Sequence, residues 1–74
     1  MTRHNSNYFT IETEQEEDGR WIAEVLEISG VLMYGNSQQQ AIAHVQALAL
    51  RVIADKLEHG EITLGFTSFQ FVAA

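Results

Sequence analysis

Residues 16–37 read EEDGRWIAEVLEISGVLMYGNS, and this stretch decides the fold. It carries three points of punctuation: Glu17-Asp18-Gly19, Ser29-Gly30 and Gly35-Asn36-Ser37. Glu16 to Gly19 reads as a hairpin turn, because glycine reaches positive φ without steric penalty. Arg20 to Ile28 then reads as a strand, with Trp21, Ala23 and Val25 on one face and Ile22, Glu24 and Leu26 on the other. The second face mixes apolar and charged residues, which points to partial cover there too. After Ser29-Gly30 turns the chain, Val31 to Tyr34 forms a short apolar strand ended by Gly35.

Upstream, Tyr8 to Gln15 alternates: Phe9, Ile11 and Thr13 face one way, Tyr8, Thr10, Glu12 and Glu14 the other. That is a strand with one wet face, and it pairs with the next across the Glu16–Gly19 turn. Downstream, Ser37 caps a helix and Gln40, three residues later, completes a capping box. The helix runs to about His59, with Gly60 as its stop. Ile42, Val45, Leu48, Ala49, Val52 and Ile53 recur at three- and four-residue spacing and form the core stripe. Glu61 to Val72 reads as a last strand. Ile62, Leu64 and Phe66 alternate, Phe69 and Phe71 are out of phase with them, and a bulge near Thr67-Ser68 reconciles the two sets. The prediction is an α+β domain, β-β-β-α-β, an antiparallel sheet with one long helix packed on it. Residues 1–7 form a flexible tail and residues 8–74 a single domain.

Seventy-four residues with 46% apolar content suffice for one small core. So small a core favours oligomerisation. There is no cysteine, hence no disulfide and no thiolate metal site, which fits a reducing cytoplasm. Met1 to Asn7 lacks the apolar segment of a signal peptide. No apolar run approaches the roughly 20 residues that span a bilayer. Net charge is −6, and Glu12, Glu14, Glu16, Glu17, Asp18, Glu24 and Glu27 crowd the first 27 positions against Arg3 and Arg20 alone. Such a surface repels phosphate backbones and argues against direct nucleic-acid binding. It attracts a basic protein, or serves only as a solvated, solubilising face.

Chemistry-bearing patterns are sparse. His4, His44 and His59 lack a partner at i+4, so no zinc pair forms. Glu12, Glu14 and Glu24 can face one another across the first hairpin, where carboxylates either bind magnesium or are simply hydrated. No nucleophile–base order and no glycine-rich phosphate loop is present. The free N–H groups at Gly35-Asn36-Ser37 can hold an anion, but capping accounts for them. Trp21 and the phenylalanines read as core. No catalytic residue, metal or cofactor is expected.

The helix carries more apolar surface than one sheet contact needs. At about 100° per residue, Ala43, Ala47 and Ala54 widen the apolar arc, with Leu50 between them and the core stripe. The polar strip is limited to His44, Arg51, Asp55 and Glu58. Alanine also serves simply as a helix former. Leu50 favours a second contact, so Ala43, Ala47, Leu50 and Ala54 are the expected oligomer interface.

The order of these features resembles the HicB-like antitoxin family over about residues 8 to 72. That family reads as an acidic-Asp-Gly turn, an aromatic strand ending Ala-x-hydrophobic, a Pro-Gly-Cys-like turn, and a Gly-Asp-Thr helix start followed by Glu-Ala. Here Glu17-Asp18-Gly19, Trp21 and Ala23-Glu24-Val25 stand in the first positions. Ile28-Ser29-Gly30-Val31, Gly35-Asn36-Ser37 and Gln40-Ala41 follow, without the family's proline and cysteine. Gly60-Glu61 and the final strand are also similar. The resemblance implies a partial ribonuclease-H-like fold without the catalytic carboxylates. It also implies a domain that masks a small basic RNA-cleaving HicA toxin, and a habit of dimerising. Operator binding, which a separate domain performs in two-component members, is not implied.

The expected function is therefore non-catalytic: a cytoplasmic, homo-oligomeric antitoxin domain that binds a basic toxin through Glu12, Glu14, Glu17, Asp18 and Glu24. The alternatives are an orphan homo-oligomeric scaffold without a toxin, and a minimal metal-dependent hydrolase using the hairpin carboxylates.

Overall fold

The computed structural model describes residues 8–62 and 69–74. Its elements run β1 (Tyr8–Gln15), β2 (Trp21–Val25), β3 (Leu32–Gly35), α1 (Gln38–Glu58) and β4 (Gln70–Ala73). This is the predicted α+β order, with one helix packed on a four-stranded sheet of order β3-β2-β1-β4. β1 and β2 are antiparallel, as are β2 and β3. The fourth strand departs from the expected all-antiparallel sheet. It lies parallel to β1, placing Phe9 beside Phe71 and Ile11 beside Ala73. The cause is the helix: it carries the chain back along the sheet after β3, so the next strand starts from the same end.

Local chemistry sets each boundary. The Gly19 N–H donates to the Glu16 carbonyl (2.9 Å) and the Glu16 N–H to the Arg20 carbonyl (2.7 Å), closing the first hairpin with Gly19 at φ 93°. β2 ends at Val25, three residues short of the predicted Ile28. The Ile28 N–H has already turned back to the Val25 carbonyl (3.2 Å). At the helix start the Ser37 Oγ accepts from the Gln40 N–H (3.0 Å), as predicted. The Gln40 side chain reaches one residue further back than a capping box requires and accepts from the Asn36 N–H (2.6 Å). At the far end Glu61 N–H donates to the Lys56 carbonyl (2.8 Å) and Gly60 N–H to the Leu57 carbonyl (3.2 Å). This is a Schellman stop, with Gly60 at φ 71° as the left-handed residue. The apolar contact that often seals such a stop is replaced by a Lys56–Glu61 ion pair at 3.5 Å.

The core forms where the helix meets β2 and β3. Ala41, Val45 and Ala49 are buried against Ile11, Ala23, Val25 and Val31, and Ile53 is buried further along the helix. Ile42, Leu48 and Val52 flank them, half-buried, with Phe9, Trp21, Met33 and Phe71. The predicted stripe is thus present, shifted to include Ala41. The largest fully buried side chains are Val25 and Val45. A core of alanines and valines permits close helix–sheet approach, and at Gly35 it demands it. A Cβ there would lie against the Ala41 N and 2.9 Å from both Ala41 Cα and Gln40 C. Phe69 packs edge-on to Phe9, with ring centres 5.3 Å apart. The predicted tail, Leu64, Phe66 and the Thr67-Ser68 bulge lie outside the described residues.

Candidate functional site

The helix occupies one face of the sheet, so strand alternation assigns the other face to β1 Glu12 and Glu14, β2 Ile22 and Glu24, and β3 Leu32 and Tyr34. The register then sets their neighbours: Glu12 lies directly opposite Glu24, and Glu14 opposite Ile22. Ile22 in turn lies opposite Tyr34, and Glu24 opposite Leu32. Three predicted partner-binding carboxylates therefore share one exposed face. Side chains opposite one another in an antiparallel pair have Cβ atoms about 5 Å apart, so the Glu12–Glu24 pair is repulsive. Among the described residues no ion pair neutralises Glu12, Glu14 or Glu24.

The other two predicted acids differ. Glu17 is exposed at the hairpin tip. Asp18 is committed within the chain: it accepts from the Arg20 N–H (3.0 Å) and from Arg20 Nε (2.9 Å). The backbone hydrogen bond from Arg20 leads in holding the Asp18 carboxyl below its ordinary value, helped by the guanidinium. Arg20 also lies over the Tyr34 ring, 4.5 Å from its centre.

Sequence reasoning counted Glu27 only as part of the acidic surplus. In the structure it ties the turn after β2 to β1, accepting from the Thr10 N–H and from the Thr10 Oγ, each at 2.7 Å. Where β2 turns away after Leu26 donates to the Thr10 carbonyl, the Glu27 carboxylate takes over as acceptor for the Thr10 N–H. Partial burial opposes its charge, but the two Thr10 bonds prevail and lower its pKa. The available signal was threonine on β1 facing the turn, which only a known register makes legible.

On the helix, Ala43, Ala47, Leu50 and Ala54 are all exposed, with Leu50 at 47%. Leu57, 40% exposed, extends their line. Their spacing is four, three, four and three residues, the interval of a helix-pairing seam. The helix turns this stripe away from the sheet, and among the described residues nothing covers it.

An open groove of about 580 Å³ lies between the helix start and β1/β4, bordered by Ile11, Thr13, Gln38, Ile42 and Phe71. Gln38 donates to the Thr13 Oγ there (2.9 Å), and Glu12 also borders the groove. Among the described residues no group of three or more His, Asp or Glu is placed to hold a metal ion. His44 Nδ1 lies 3.0 Å from the Tyr34 carbonyl and His59 Nδ1 2.8 Å from the Asp55 carbonyl, so each is engaged locally. Among the described residues no helix is long and apolar enough to cross a membrane.

No family model matches this sequence, and neither a curated protein nor a solved structure matches it.

Proposed function

We propose that this chain is a non-catalytic protein-binding domain of the HicB-like antitoxin kind. In this reading it neutralises a small basic RNA-cleaving protein by covering that protein's RNA site. The observation that carries it is the Glu12–Glu24 register, with Glu14 on the same face. Folding brings like charges together at a cost in stability and leaves them without a cation from the described residues. A basic partner reverses that cost and is steered to the face by it. Glu17 extends the negative surface to the hairpin tip. Asp18 contributes chiefly by shaping the turn through Arg20. The element order β-β-β-α-β also accords with the resemblance on which the reading draws.

The reading also includes self-association through Ala43, Ala47, Leu50 and Ala54. The exposed stripe equally suits a second reading, an orphan homo-oligomeric scaffold that has no toxin.

Affinity capture from native lysate at low and moderate salt, followed by mass spectrometry and RNA cleavage assays, tests the proposal. The expected result is a small basic protein that cleaves RNA until this chain is added and that dissociates as salt rises. Unchanged capture by the Glu12→Lys/Glu14→Lys/Glu24→Lys variant would overturn the acidic-face assignment. Recovery of this chain alone would favour the scaffold.

A further inference from the structure

We infer that the docking surface is the whole open face of the sheet, apolar half included, and that it fits a basic amphipathic segment of a protein partner. This deepens the proposed function and rests on its basic partner, but it adds a requirement that charge alone does not make. A wet sheet face ordinarily presents polar residues at its outward positions. Here β2 and β3 present Ile22, Leu32 and Tyr34 instead. Leu26 continues the column, because its N–H still pairs with the Thr10 carbonyl. Leu26, Leu32 and Tyr34 are 48%, 38% and 41% exposed. Ile22 is half-buried and Arg20 covers part of Tyr34, but among the described residues Leu26 and Leu32 stay open to water, and large apolar side chains left so and edged by charge mark an interaction surface.

The charges select the occupant. The apolar column of β2 and β3 is bordered by Glu12 and Glu14 on β1, and Glu24 lies between the two. A second copy laid on this face would set carboxylates against carboxylates, on chains of net charge −6 each. Nucleic acid and anionic lipid surfaces are repelled for the same reason. Arg20, whose guanidinium lies over Tyr34, is already engaged by Asp18. The complement is an apolar ridge flanked by lysine or arginine, the pattern of an amphipathic helix in a groove or on a face.

Two synthetic helical peptides of equal positive charge test this, one with a leucine ridge and one with the leucines replaced by glutamine. Binding is followed by the backbone amide shifts of the full chain. The leucine peptide is expected to shift residues 22, 24, 26, 32 and 34 and to bind at least about tenfold more tightly than its control. Leu32→Thr, a substitution suited to a strand, is expected to weaken the leucine peptide about fivefold or more while leaving the control unchanged. Equal binding of the two peptides would overturn the apolar requirement and leave the acidic-face reading standing. Shifts confined to helix positions 43–57 would overturn the placement. Binding of neither peptide would overturn both. The peptide comparison on the unmodified chain holds even if Leu32→Thr does not fold.

Discussion

Gly35→Ala is the sharpest test of the architecture. Gly35 ends β3 and is buried under the first turn of the helix. Its replacement by alanine adds one carbon, and that carbon would meet the Ala41 N and lie 2.9 Å from Ala41 Cα and from Gln40 C. These are main-chain atoms of a capped helix start, so no side chain can swing aside. The helix must lift from the sheet or the strand must bend. Overpacking of this kind costs about 1–3 kcal/mol and more where backbone has to move, so about 3 kcal/mol is expected. A chain of 74 residues has only about 4–11 kcal/mol of stability in total. At about 4–8 °C per kcal/mol, the melting temperature should fall by about 12–24 °C.

Thermal and urea unfolding, followed by circular dichroism, measure this directly. Gly60→Ala is the matched control, because its added carbon meets nothing within 4 Å and suffers only from φ 71°. It should cost about 1 kcal/mol, by backbone conformation alone. If Gly35→Ala proves no worse than Gly60→Ala, the helix start does not rest on β3 and the packing argument is refuted.

Glu27→Ala removes both Thr10 bonds, and with exposure discounted should cost about 1–2 kcal/mol by urea unfolding at neutral pH. Because the folded Glu27 pKa is lowered from 4.5, this contribution is full above the unfolded value and lost as pH falls through the folded one. The gap between variant and parent should therefore close in acid, and a gap that widened there would contradict the assignment. Glu24→Lys turns a repulsive cross-strand pair into an attractive one and should stabilise the fold by about 0.5–1 kcal/mol while weakening capture of a basic partner. Equal or lower stability at low salt would count against the register-based argument. Leu50→Glu should shift the chain toward monomer by light scattering without loss of helix signal. An unchanged mass would remove that stripe as the interface.

How much of this was legible depends on the range of the interaction. The helix was readable because Ser37, Gln40 and Gly60 act on groups within a few residues, and because the apolar period names the buried side. The first hairpin was readable for the same reason. The end of β2 was not: Leu26 and Ile28 prolong the alternation, and only the Ile28-to-Val25 bond shows that the chain has left the strand. The direction of β4 depends on a partner 62 residues away in sequence, Phe9 beside Phe71, which no local pattern encodes. Glu27 was missed on the same ground, since its role exists only once Thr10 lies opposite Leu26. The three carboxylates of the candidate face were nameable as a group, but their mutual opposition, and the apolar column beside them, required the register.

The two exposed apolar surfaces are not interchangeable, and charge explains why. The helix stripe is bordered by Arg51 and His44 as well as Asp55 and Glu58, so that a cation stands among its two carboxylates. Two acidic chains that meet there avoid concentrating their like charges. The sheet face carries Glu12, Glu14 and Glu24, so self-pairing would concentrate them. Self-association is therefore least opposed at the helix, and a basic partner most favoured at the sheet. Because these faces lie on opposite sides of a two-layer fold, pairing through helices leaves both sheet faces pointing outward. A complex built this way would bind two partners per dimer. Leu50→Glu should then change the mass of the complex but not the number of partners bound per chain, and a loss of partner binding on forced dissociation would show instead that one surface depends on the other.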